Sequence, residues 1–330
     1  MRYRQLGNSD LRVSEISLGS WLTYSGGIEK ELTRACTEAA FDVGINFFDT
    51  ANAYGRGAAE TAWGDILAEH PRDSYILATK VWGSMSDTDR GLSAAQIAKQ
   101  IDASLTRLRT DHVDLYQAHR FDTTVPIEET IEALQKVVAQ GKARYLGFSE
   151  WTPEQIRAAI EIAGPGLFVS SQPQYSMLWQ APEVVVFDFC ASNGISQVVW
   201  SPLAQGVLTG KYQPGEPLPP DSRFASDQMN VSQALVFNDD NLEAVQRLVP
   251  IAAELGVSLA ALALAWVLRR SEVASAITGA SRPEQVISNA AASGVTLTDE
   301  VVAQIDRALG DAPVRTPTLA PFAVEGVLRR

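Results

Sequence analysis

Residues 97–109 read IAKQIDASLTRLR, and residues 113–117 follow as VDLYQ; then come 127–141, IEETIEALQKVVAQG, and 143–148, ARYLGF. In the first and third segments apolar side chains recur three and four positions apart, the spacing of a helix with one buried face. The second and fourth are short apolar runs of strand length. Gly141 stands at the stop position of the second helix, where a left-handed residue ends the turn. Helix, strand, helix, strand in so short a span is the signature of βαβ units and a parallel sheet.

The alternation extends in both directions. Candidate strands fall at Glu15–Gly19, Asn46–Asp49, Tyr75–Thr79, Val113–Gln117, Ala143–Phe148, Phe168–Gln172, Ser196–Trp200 and Ser275–Thr278. Before them, Tyr3–Leu6 and Leu11–Val13, joined through GNSD, read as a hairpin. Eight strands with crossover helices predict a closed (β/α)8 TIM barrel over residues 1–330 as a single unit, with extra C-terminal helices. An open doubly wound sheet is the alternative, but it ordinarily carries GxGxxG after its first strand, and the sequence has none there. The stretch after strand seven, QGVLTGKYQPGEPLPPDSRFASDQMN, exceeds ordinary loop length and reads as a functional loop.

Composition narrows the function classes. The chain has 330 residues, 46% hydrophobic and 20% charged, with net charge −12 and pI about 4.8. That field repels polyphosphate backbones and no basic cluster offsets it, so nucleic-acid binding is not expected. Cys36 and Cys190 fit no disulfide or metal framework, which favours a reduced, cytoplasmic setting. No apolar signal core or run of eighteen apolar residues occurs, so neither export nor membrane insertion is expected.

In a parallel barrel, chemistry gathers where strands end at their C-terminal side. Asp49 ends strand two, Tyr54 lies in the following loop, Lys80 follows strand three and His119 strand four. Each has an ordinary structural reading: a helix-capping carboxylate, a surface phenol, a snorkelling lysine, a core histidine. Together they make a proton-transfer device. A phenol is a reluctant acid that can reach a developing alkoxide, and a nearby ammonium is expected to lower its pKa. Asp49 would hold Lys80 charged, and His119 would orient a carbonyl oxygen.

These residues carry a resemblance. YRQLGNSDLRVSEISLGSW, GINFFDTANAYG, ATKVWG, RGLSAAQI, SLTRLRTDHVDLYQAH, WSPLAQGVLTGKY and AITGASRPEQVISN, in this order, are similar to segments of the aldo-keto reductases, most of all the potassium-channel β-subunit branch and its bacterial relatives. The resemblance implies an NADP(H)-dependent reductase of aldehydes or ketones whose catalytic tetrad is Asp49, Tyr54, Lys80 and His119. It implies cofactor contacts from Ser20, Trp21 and Asp49, from Ser149 and Gln172 to the carboxamide, and from Trp200 stacked on the nicotinamide. Ser201, Pro202, Leu203 and Gly206 would pass along the pyrophosphate, Lys211 and Arg223 would cover it, and Gly279, Ser281, Arg282, Gln285 and Asn289 would receive the adenosine end. Two positions depart from the pattern: Glu150 replaces the usual Asn, or the Arg of channel subunits, and Ser288 replaces a channel-type Glu. Trp21, Tyr54, Trp82, His119 and Trp151 are the expected substrate-pocket residues.

A cofactor-binding regulatory subunit with slow or vestigial chemistry is the competing reading. A Schiff base on Lys80 leaves the GASRPEQVISN and WSPLAQG matches unexplained. Metal-dependent hydrolysis lacks an HxH or HExxH spacing, and no metal is expected. The tail TPTLAPFAVEGVLRR is a candidate for a pocket wall or for a contact between copies in a homo-oligomer.

Overall fold

A computed structural model describes residues 1–21, 23–226 and 236–319; part of the loop after strand seven and residues 320–330 of the tail lie outside the described residues. A small antiparallel pair comes first, β1 (Tyr3–Gln5) with β2 (Arg12–Ser14). Eight parallel strands then close a barrel: β3 (Ile16–Gly19), β4 (Phe47–Asp49), β5 (Ile76–Val81), β6 (Val113–Ala118), β7 (Ala143–Phe148), β8 (Phe168–Ser171), β9 (Ser196–Val199) and β10 (Val273–Thr278). They pair in sequence order, and β10 returns to pair with β3. All eight predicted barrel strands are present.

Strand ends differ by one or two residues. Asn46 lies before β4 because its side chain is engaged elsewhere, accepting from Ser14 N at 2.8 Å and donating to Arg12 O at 2.9 Å. β5 runs on to Val81, which places Lys80 inside the strand, beside Gln117 of β6. Gln172 and Trp200 stand just past β8 and β9.

Around the barrel lie α1 (Lys30–Asp42), α2 (Ala58–Leu67), α3 (Ala94–Leu108), α4 (Ile127–Ala139), α5 (Pro153–Ala163) and α6 (Asp188–Ser192), followed by α7 (Asp239–Gln246), α8 (Val249–Glu254), α9 (Leu259–Leu268), α10 (Pro283–Ala290) and α11 (Asp299–Leu309). α3 starts before its periodic run because Ser93 caps it, accepting from Gln96 N. α9 is apolar on every side and all but one of its residues are buried, as a helix without a polar face must be. Among the described residues no single helix is long and apolar enough to cross a membrane.

The period of two along each strand builds the interior. Phe47, Ile76, Ala78, Leu115, Val169, Val198 and Ala274 point inward and form one buried cluster with Leu6, Leu11 and Val13 of the hairpin. The hairpin thus plugs the N-terminal end of the barrel. Continuing upward on the same parity, Phe47 leads to Asp49, Ala78 to Lys80, and Leu115 to Gln117 and then His119. The alternation that makes an apolar floor therefore also delivers polar side chains to the opposite mouth. Gly7 lets the plug seat closely: its φ is +53°, and a Cβ there would lie 2.4 Å from Val169 O and 2.5 Å from Gly194 O.

Leu6 is fully buried in this floor, far along the barrel from the polar mouth. Leu6→Ala should cost about 2–5 kcal/mol of stability by leaving a cavity, measured by denaturant titration, while the geometry of the mouth is retained.

Candidate active site

The mouth is organised around a lysine with no exposed surface. Lys80 Nζ donates to Asp49 Oδ1 at 2.5 Å and to Thr50 O at 2.7 Å, and lies 3.3 Å from the Tyr54 hydroxyl. Asp49 is held from its other oxygen: Gln172 Nε2 donates to Oδ2 at 3.0 Å and Gln117 Nε2 at 3.3 Å. A buried ion pair survives desolvation only when its remaining valences are filled, and here the neighbouring amides and a backbone carbonyl fill them.

Tyr54 opens the short 3-10 turn Tyr54–Gly57, in which Gly55 and Arg56 have φ of +58° and +52°. That tight turn brings the phenol back over β4 and β5. The ammonium lies 5.0 Å from its ring centroid, and the His119 ring meets it edge-on at 5.6 Å. His119 is buried, and its Nδ1 has no hydrogen-bond partner among the described residues.

Burial dominates the proton affinities. It works against the Lys80 charge, but Asp49 and then Tyr54 outweigh it and the ammonium is stabilised. The Tyr54 phenol ends above its ordinary value: burial raises it, and Lys80 offsets only part of that rise. This corrects the expectation that the ammonium leaves a lowered phenol pKa. His119 is driven well below the usual imidazole range by burial, then by Arg120 and Lys80. The ring is accordingly neutral near pH 7, and the phenol keeps its proton.

A cavity of about 820 Å³ opens beside the tetrad. Every position expected to touch the cofactor lines it: Ser20, Trp21 and Asp49; Ser149 and Gln172; Trp200, Ser201, Pro202, Leu203 and Gly206; Lys211 and Arg223; Gly279, Ser281, Arg282, Gln285 and Asn289. Ser288 lines it as well. At one end three cations converge. Arg223 sits 5.1 Å over the Trp21 ring, its Nε and Nη2 buried without a hydrogen-bond partner among the described residues, and burial lowers its pKa to about 10. Lys211 is lowered by burial and again by Arg282 and Arg223, with only Asp221 opposing. Arg282 precedes Pro283, the first residue of α10, and pairs with Asp221 at 3.4 Å. A lysine repelled by two arginines, one of them at a helix N-terminus, suits a polyanion.

Trp21, Tyr54 and His119 line the cavity, whereas Trp82 and Trp151 do not. The chain turns at Glu150, φ +58°, and Trp151 drops into the core, 5.0 Å from Phe121, 5.5 Å from Phe148 and 5.6 Å from Phe168. Trp82 is half-buried and packs against the same outer core.

Two contributors, Gln117 and Arg120, escape the sequence reading, and a third, Glu150, is marked there only as a departure from the pattern. Gln117 could have been found, because it shares strand parity with His119. Arg120 gave no periodic signal; it is buried at the cavity wall, with Nη1 donating to His119 O at 2.5 Å and to Ser149 Oγ at 2.9 Å. Glu150 accepts from Gln174 N at 2.6 Å and from the Trp200 indole at 3.0 Å.

A sequence model described as the Aldo/keto reductase family matches residues 15–309. The chain is 39% identical to a probable voltage-gated potassium channel subunit beta from Oryza sativa subsp. japonica over 328 residues, covering 96% of this chain and 99% of that protein. It is also 39% identical to a protein of the same description from Arabidopsis thaliana over 327 residues, 96% of this chain and 98% of the relative. Among solved structures, a glycerol dehydrogenase from Gluconobacter oxydans superposes with a TM-score of 0.81 at 30% identity, covering 96% of this chain and 98% of the other.

Removing one partner of a buried pair strands the other charge. Lys80→Met should lower stability by about 3–5 kcal/mol in denaturant titration, and adding Asp49→Asn should recover part of that loss; a double variant no more stable than the single would refute the pairing account.

Proposed function

Since the chain belongs to the aldo/keto reductase family and is an oxidoreductase, we propose that it is an NADP(H)-dependent enzyme that reduces an aldehyde or ketone to an alcohol, with Tyr54 as general acid. The observation that carries this reading is the Tyr54 hydroxyl 3.3 Å from the buried ammonium of Lys80, at the wall of the cavity. A regulatory subunit without turnover would not require that arrangement.

The cavity fits a dinucleotide chemically. The nitrogens of Arg223 that have no partner among the described residues, with Lys211 and Arg282, supply cations for the phosphates, and Trp200 supplies a flat wall near the tetrad. When bound, a reduced nicotinamide supplies the hydride that adds to the carbonyl carbon. His119, neutral, presents a ring N–H to the carbonyl oxygen. Tyr54 passes its proton to that oxygen as negative charge develops, and Lys80 stabilises the phenolate left behind. The phenolate recovers a proton from solvent. Asp49 keeps Lys80 charged throughout, so the phenol does not have to titrate beforehand.

The same reading makes the chain one catalytic domain in the cytoplasm, acting on a small carbonyl compound without nucleic acid or membrane. A homo-oligomer is compatible with it.

Tyr54→Phe should reduce turnover at least about a hundredfold with little change in cofactor affinity, followed through the nicotinamide absorbance. The sign of the shifts fixes the pH profile: a phenol raised above its ordinary value stays protonated, and an imidazole driven below its range stays neutral, so wild-type reduction should be level from about pH 7 to 8. A rise or fall through an imidazole-like midpoint in that window would assign the acid elsewhere.

Arg282 is the cation suited to a 2′-phosphate. Arg282→Ala should weaken NADPH binding by roughly tenfold to a hundredfold and leave NADH almost unchanged in fluorescence titrations. Equal loss for both cofactors would assign it to the adenine pocket in general.

A further inference from the structure

Glu150 occupies the position where the resemblance expects an Asn, or the Arg of channel subunits, and its side chain has contacts of its own. Its backbone is left-handed, φ +58°, which is uncommon for a residue with a Cβ and sets the direction of the side chain. The carboxylate is buried. One oxygen, Oε1, accepts both the backbone N–H of Gln174 at 2.6 Å and the indole N–H of Trp200 at 3.0 Å.

Those two partners are themselves joined. Gln174 and Trp200 form an isolated parallel bridge, Trp200 N donates to Pro173 O at 3.1 Å, and Tyr175 N donates to Trp200 O at 3.2 Å. The Trp200 backbone is therefore fixed by the segment beyond β8, and its ring by a residue beyond β7. An indole has a single donor, and when that donor meets a buried carboxylate the ring can no longer rotate without breaking a charge-assisted bond.

The field of this carboxylate reaches Arg120. The guanidinium is buried next to His119, and the charge of Glu150 is what chiefly opposes the cost of burying it. Ser149, which accepts from Arg120, spends its own hydroxyl proton on Gln172 O at 2.8 Å. Glu150 thus ties the strand end beyond β7 to the Trp200 ring at the cavity wall.

We propose that Glu150 is a positioning residue that locks the Trp200 indole plane against the cavity. The inference rests on the reading of Trp200 as the wall that stacks on the nicotinamide. It assigns Glu150 no contact with the cofactor; its effect passes through the ring it holds.

Glu150→Asp tests this with the carboxylate charge retained. The shorter side chain withdraws the carboxylate by roughly 1.5 Å, which takes a 3.0 Å bond out of range. Cofactor affinity by fluorescence titration should fall about tenfold, and turnover should fall with it. Glu150→Gln keeps an acceptor of the same length and should stay within about threefold of wild type. In a Trp200→Phe background, where no N–H remains to be held, Glu150→Asp should have almost no further effect. Circular dichroism establishes that each variant is folded.

Wild-type behaviour of Glu150→Asp, or an equal loss in the Trp200→Phe background, would overturn the proposal, as would a Glu150→Gln variant as impaired as Glu150→Asp. The Trp200→Phe protein separates the two readings. If it binds and turns over like wild type, the stacking wall is misassigned; if it is impaired while Glu150→Asp is not, only the role of Glu150 fails.

Discussion

A lysine amine with no exposed surface can keep its charge only if the protein supplies what water would have supplied. Lys80 has Asp49 at 2.5 Å and a backbone carbonyl at 2.7 Å, and Asp49 in turn has two glutamine amides. The electrostatics of the mouth depend on that arrangement. It fixes a positive charge in a region of low dielectric, where it acts strongly on the phenol 3.3 Å away. It also explains the glutamines at the ends of β6 and β8, which otherwise look like misplaced polar residues inside a barrel.

Much of this was legible from the sequence, for a physical reason. Strand and helix periods are local properties, and a parallel barrel turns local strand ends into one shared mouth, so Asp49, Tyr54, Lys80 and His119 could be assembled without knowing a single distance. The cofactor positions came from the resemblance, and all of them line the cavity. What periodicity does not encode is the direction of a side chain after a strand ends. Trp151 was placed in the pocket because it follows β7, yet the left-handed turn at Glu150 sends it into the core. Arg120 and Glu150 lie in the same irregular stretches and find their partners at neighbouring strand ends, Arg120 at Ser149 and Glu150 at Gln174 and Trp200.

The direction of the Tyr54 shift shows a second limit. Sequence reading could place a cation near a phenol but could not weigh that cation against burial, since both depend on depth. In the structure burial wins. For the proposed role of Tyr54 as general acid this outcome is an advantage, because an acid that keeps its proton is ready when charge develops on a substrate oxygen. On that proposal the cation serves mainly after transfer, on the phenolate.

The apolar floor formed by the hairpin and the lower strand residues is separated along the barrel axis from the polar mouth. Two kinds of substitution therefore act on nearly independent properties. Changes in the floor alter how long the molecule survives, whereas changes in the loops beyond the strands alter what it accommodates, at small cost to survival. A molecule divided in this way is evolvable: its mouth can be reshaped for a new small molecule while the buried ion pair and the fold that carries it stay in place.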